Sequence, residues 1–188
     1  MFFILSPFFS FSQGEWNQWR FGLFCGLDFN FTTPIPVSGS AMQTSAQYPV
    51  SVSDSSGMLL FYSDGGNVWN RNNTIMPNGS GLNGFISQSH SVFSVNSLNN
   101  PNIYYLFYIP LYGFGPIGPQ GLYYSIIDMQ LDQGLGDIIP GMKNIPVLGS
   151  EQSASWMSGT RHRNNHDIWL VVRNIQPNQY LAYKITEN

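Results

Sequence analysis

The chain has one cysteine, few charges, no long helical period and no long apolar run. Each shortage excludes something. Cys25 alone rules out an internal disulfide framework and any multi-cysteine metal site. It does not read as a lipid-attachment cysteine either, because bulky Phe24 precedes it where a small residue is needed. Charged residues make up 9% of the chain, against roughly 25% in ordinary soluble domains, and that argues against helical surfaces rich in Glu, Lys and Arg. The 7 Lys and Arg form no cluster beyond Arg161 and Arg163, and the net charge is −3. These numbers exclude a nucleic-acid footprint and a polybasic membrane patch. No apolar run reaches the length a membrane span requires, so none is expected.

What the chain does have is 19 Gly, 12 Pro and an aromatic content of 15%, with polarity supplied mainly by Ser and Asn. This is the composition of short strands joined by many turns. The apolar fraction, 43%, separates it from disordered chains. At the N-terminus, MFFILSPFFSFSQ is apolar and ends with Ser10 and Ser12 in small-x-small spacing before Gln13. Residues 1–12 are therefore expected to be an export signal, and 13–188 the mature β domain. A buried first strand is the alternative.

The apolar segments fall into sets. YPVSVS (Tyr48 to Ser53), MLLFYS (Met58 to Ser63), NVWN (Asn67 to Asn70) and a weak Ile75-Met76 form the first. SHSVFSV (Ser89 to Val95), NIYYLFYIP (Asn102 to Pro110), GLYYSIIDM (Gly121 to Met129) and KNIPVL (Lys143 to Leu148) form the second. QSASWM (Gln152 to Met157), DIWLVVRN (Asp167 to Asn174) and QYLAYKI (Gln179 to Ile185) form a third without a fourth strand. Each set opens on a small, Ser-rich strand and continues with a bulky one carrying Phe61, Phe107 or Val171. Small residues suit strands crowded around an axis, and continuous apolar strands suit burial on both faces. The expectation is an all-β, partial β-propeller of about three four-stranded antiparallel blades. The segment Trp19 to Phe31 would complete the last blade of a ring, and further blades would lie on the C-terminal side. A β-sandwich is the alternative.

Asp54-Ser55-Ser56-Gly57 and Asp64-Gly65-Gly66 flank a strand. Asp accepts backbone N–H bonds and Gly takes positive φ, so both read as hairpin corners. No acid follows Asp64 to close a calcium loop. Asp132 to Asp137 reads as another Gly-bearing hairpin. His162 and His166 have helical ligand spacing but sit in the polar turn SGTRHRNNHD, with Asp167 and Glu151 as the nearest acids. His90 has Ser87, Ser89 and Ser91 nearby, but i±1 neighbours on a strand face opposite ways. The Gly-rich stretches 79–84 and 113–121 lack a phosphate-loop pattern. Asn30, Asn72 and Asn78 head Asn-x-Ser/Thr triplets, which are common by chance in so Asn- and Ser-rich a chain. Trp16, Trp19, Tyr112, Phe114 and Tyr123 would stack on sugars if exposed, or else form core.

The block SVSDSSGMLLFYSDGGNVWNRNNTIMPNGSGLNG resembles one in secreted Bacteroidota proteins. Those proteins carry an N-terminal propeller-like region and often end in a gliding-motility-associated, type IX secretion sorting domain. WRFGLFCGLDFN, QGLYYSIIDMQLDQGLGDI and HDIWLVVR are similar to the same family, so the likeness covers almost the whole mature chain. These 188 residues include no stretch similar to the sorting domain, and TSAQYPVSVS and EQSASW depart from the family's more acidic starts. The resemblance implies an exported, surface or secreted protein that binds or adheres, and no catalytic residue carries over from it.

The expected function is thus a non-catalytic binding or adhesion module with no cofactor and no metal, acting on a protein or glycan and completed by blades of a longer chain. Its ligand is expected on loops 111–121 and 159–166, at Tyr112, Phe114, Arg161, His162 and His166. The rival readings are a propeller-fold glycan-active enzyme using acids among Asp54, Asp64, Asp128, Asp137, Glu151 and Asp167, and a structural spacer or gene remnant.

Overall fold

The computed structural model describes residues 14–43, 48–84, 92–110, 121–151 and 153–187. The expected signal segment, His90 and most of loop 111–121 lie outside them.

Fifteen strands follow one another with no α-helix among the described residues. They are β1 (Gln18–Arg20), β2 (Cys25–Asp28), β3 (Ile35–Ser38), β4 (Val50–Ser53), β5 (Leu59–Ser63), β6 (Asn67–Asn70), β7 (Ile75–Ser80) and β8 (Val92–Asn96). Then come β9 (Ile103–Tyr108), β10 (Tyr123–Asp128), β11 (Asp137–Ile138), β12 (Ile145–Pro146), β13 (Ser153–Arg161), β14 (Ile168–Asn174) and β15 (Gln179–Ile185). Four antiparallel sheets result. The first is β1-β2-β3 and the second β4-β5-β6-β7. The third is β11-β10-β9-β8, with β12 also on β10, and the fourth is β13-β14-β15.

The three sets of segments correspond to the second, third and fourth sheets. The four sheets hold three, four, five and three strands rather than four each, and in the third the β10 edge is shared by two short strands. Ile127 pairs with Ile138 of β11, while Tyr123 pairs with Pro146 of β12. The early segment forms the first sheet by pairing β1 with β2 and β2 with β3. Leu23 and Phe24, at φ 58° and 62°, turn β1 directly back into β2.

Side-chain caps build the corners. The Asp54 carboxylate accepts N–H bonds from Ser56 at 2.8 Å and Met58 at 3.0 Å. Asp64 does the same for Gly66 at 2.9 Å and Asn67 at 2.8 Å. Asn70 caps the β6–β7 corner, accepting from Asn72 at 2.9 Å and Thr74 at 3.2 Å. These local bonds satisfy the turn donors that no ladder reaches. The aspartates are hairpin corners.

The core lies between sheets. Phe61, Val68 and Met76 of the second sheet meet Leu106, Tyr108, Ile127 and Ile138 of the third. The other face of the third sheet, with Val95 and Phe107, packs on Met157, Leu170 and Val172 of the fourth. Leu59, Tyr62 and Trp69 form a third cluster with Met42 on the other face of the second sheet. The second and third sheets thus carry core on both faces, which is why β5 and β9 read as continuous apolar runs. In β14 the buried anchors are Leu170 and Val172, both 0% exposed, while Val171 faces the other way. Period-two alternation forces that choice. The first strands also abut in chain order, β1 with β4, β4 with β8 and β8 with β13.

Candidate binding cleft

Strand β1 sorts its side chains by alternation. Trp19 points outward, where its ring meets Phe29 at 4.9 Å and its Nε1 donates to the Trp16 carbonyl at 2.9 Å. Gln18 and Arg20 share the opposite face and are 7% and 9% exposed. The Arg20 main-chain N–H donates to Ser51 Oγ at 2.8 Å, fastening the first sheet to β4. Its Nη1 donates to Gln18 Oε1 at 2.9 Å and to the Trp19 carbonyl at 3.2 Å. Gly26, paired with Arg20 in the ladder, leaves room for this side chain. A Cβ there would stand 3.3 Å from Nη1 and 2.4 Å from the Trp19 oxygen.

These residues open into a cleft of about 430 Å³ between the first sheet and one end of the second. Its remaining walls come from the two capped corners. The Asp54 corner presents Ser56, Gly57 and Met58, and the Asn70 corner presents Arg71 and Asn72. Asn30 bridges the rim, donating to the Gly57 carbonyl at 2.9 Å and accepting from Asn17 at 2.9 Å. A Cβ on Gly57, where φ is +86°, would collide with the Asn30 amide. Asp28 lines the cleft and spends one oxygen on the Asn30 N–H at 2.8 Å.

Two arginines therefore face one aspartate, and neither arginine forms an ion pair among the described residues. Burial draws the Arg20 guanidinium below its ordinary value, opposed by Tyr62 and Asp28. The Asp54 carboxyl, by contrast, sits below the usual range. Burial pushes it up, but the Ser56 hydroxyl and the Met58, Ser56 and Gly57 N–H groups outweigh that.

The expected site residues are dispersed. Tyr112 and Phe114 lie outside the described residues. Arg161 belongs to a strand rather than a turn, since β13 runs on through Ser-Gly-Thr-Arg to pair Arg161 with Ile168. The turn is correspondingly shorter and starts at His162, whose ring lies 5.6 Å from Trp169. His166 turns to other partners, with Nε2 at 2.6 Å from Glu187 and Nδ1 at 3.2 Å from Asp167. Lys184 Nζ completes that group at 3.3 Å from Asp167. The two histidines are thus held in separate contacts, and no cluster of three metal-binding side chains occurs among the described residues. Asn78 uses its side-chain amide on Asp137, which does not suit a glycan acceptor. Tyr123 lies on β10, stacked 6.5 Å from Tyr108.

Sequence reasoning missed the cleft because its basic residues are far apart in the chain. The available signal was that Arg20 and Arg71 are isolated charges, each beside a turn, in a chain with so few. A smaller hollow of about 240 Å³ lies between Tyr105, Phe107 and Tyr124 of the third sheet and Lys184 to Thr186. Its aromatics also pack on the core beneath. Compared with family models, curated proteins and solved structures, the chain matches none.

Proposed function

We propose that this chain is a non-catalytic binding module of the propeller type, working outside the cell or on its surface on a glycan or protein ligand. The observation that carries the reading is the cleft between the first two sheets. It is walled by rigid capped corners and lined by Gln18, Arg20, Asn30, Arg71 and Asn72, groups that recognise rather than react. Two further features support the propeller form. The second and third sheets are buried on both faces, and the first strands abut in chain order. Blades of a longer chain would continue the series beyond the fourth sheet. The apolar leader supports export.

The acids proposed for the enzyme alternative are largely occupied in the fold. Asp54, Asp64 and Asp128 accept turn N–H bonds, and Asp137 holds Asn78. The test is a panel of neutral glycans, acidic glycans and surface proteins probed with the full chain, with hydrolysis products measured in parallel. Saturable binding without turnover is expected. Turnover of any panel member, or no binding at all, would overturn the reading.

A further inference from the structure

The cleft holds more donors than the protein can use. Arg20 Nη1 is engaged, but Nε and Nη2 have no acceptor among the described residues. Gln18 gives its Oε1 to Arg20 and leaves Nε2 without an acceptor there. The Asn72 side chain likewise makes no hydrogen bond among the described residues, where Asn72 bonds through its main-chain N–H to Asn70 Oδ1. None of these spare donors is among the buried polar atoms that lack a partner, so they stay open to solvent. Here the unused donors belong to residues that line an open cleft, where an incoming acceptor can meet them. The charge balance points the same way, with Arg20 and Arg71 against Asp28 alone. A cation would find too few acceptors, and an apolar ligand would leave the donors stranded.

We infer that the cleft binds a carboxylate-bearing sugar, a uronate unit of an acidic glycan, with its carboxylate on the Arg20 guanidinium and its ring hydroxyls among Gln18, Asn30, Ser56, Arg71 and Asn72. A guanidinium presents a planar fork that fits a carboxylate in bidentate fashion. The neighbouring amides both donate and accept, as sugar hydroxyls do, and the Ser56 oxygen, whose proton goes to Asp54 Oδ1 at 2.6 Å, still accepts. A volume of about 430 Å³ suits a short oligosaccharide. The inference rests on the binding-module reading and names the substrate class of that same cleft.

The test is calorimetry on the full chain with trigalacturonate, its methyl ester and triglutamate. Trigalacturonate is expected to bind, and the ester, which keeps the hydroxyls but loses the charge, to bind about tenfold or more weakly. Arg71→Gln lies on the rim and should fold. It is expected to weaken trigalacturonate several-fold, and Arg20→Gln about tenfold or more. Circular dichroism checks that each variant is folded; Asn72→Ala, also on the rim, replaces Arg20→Gln if that buried change prevents folding, and should weaken binding too. Equal affinity for acid and ester, or unchanged affinity in folded rim variants, overturns the inference. Tighter binding of triglutamate that is lost in the same variants overturns the sugar in favour of an acidic peptide. If trigalacturonate fails while another member of the panel binds, the cleft assignment falls and the binding module stands. If nothing on the panel binds, both fall.

Discussion

Asn78 and Asp137 lock the second sheet to the third. The Asn78 main-chain N–H donates to Asp137 Oδ1 at 2.8 Å, and its side-chain amide donates to Oδ2 at 2.7 Å. Asp137 is 7% exposed, so the pair is removed from most water competition. The Ile138 N–H donates to Oδ1 as well, at 2.8 Å, so Asp137→Ala should take the acceptor from three donors and cost about 1–3 kcal/mol. Urea unfolding with an unchanged m-value would report this as a shift in midpoint.

The register of β14 gives a sharper pair of substitutions. Leu170 is fully buried between the third and fourth sheets, whereas Val171 is not. Leu170→Ala should cost about 2–5 kcal/mol, and Val171→Ala about 1 kcal/mol or less. A reversed order would mean that β14 is paired one residue out of register.

One contact between sheets is sensitive to added volume. A Cβ on Gly159 of β13 would stand 2.2 Å from the end of the Phe93 ring on β8. Gly159→Ala must displace that ring or separate the sheets, and about 1–3 kcal/mol of destabilisation is expected. The double variant Gly159→Ala with Phe93→Leu should recover part of that loss, measured by the same denaturant titration.

Much of this architecture is legible in the residues themselves. Asp54 and Asp64 announce their corners because a short acceptor side chain near Gly satisfies turn donors locally, whereas the Asn70 corner shows only in the structure. The runs in β5 and β9 announce burial on both faces. The alternation that leaves Val171 only half-buried is hidden, because Ile-Trp-Leu-Val-Val has no polar residue to mark a face. The extent of β13 is hidden too, since Ser, Gly, Thr and Arg read as a turn until Ile168, Trp169 and Leu170 pair with them. Cleft residues are the least legible. Arg20 and Arg71 line one cleft only because β1 abuts β4, a tertiary fact with no local period.

The turn after β13 carries a pH signature. The hydrogen bond to Asp167 raises the His166 pKa above its ordinary 6.5, against some desolvation, and Glu187 adds to the rise. The folded protein thus holds this proton more tightly than the unfolded chain does. The resulting stabilisation is complete below about pH 6.5 and is lost as pH rises through the higher folded value. An NMR titration should give His166 a pKa above 6.5. Glu187→Gln should lower it, and Asp167→Asn should lower it further. An unshifted His166 would remove both contacts from solution.

Binding should also weaken in acid. The Asp54 corner forms one cleft wall, and its carboxyl titrates below the usual range. Its contribution to stability is present above the unfolded pKa and is lost as pH falls through the lower folded value. Asp54→Ala should loosen Ser56 and Gly57 and reduce trigalacturonate affinity several-fold at neutral pH, by calorimetry, while the chain remains folded.

The most direct measurement is chemical-shift mapping of the full chain during a trigalacturonate titration, with the arginine side-chain Nε–H signals observed. The account predicts saturable shifts at the Arg20 and Arg71 Nε–H groups, at the Gln18 and Asn72 amides and at the Ser56 and Gly57 backbone. Shifts confined to the turn at His162 to Asp167, or to the hollow at Tyr105 and Tyr124, would contradict it.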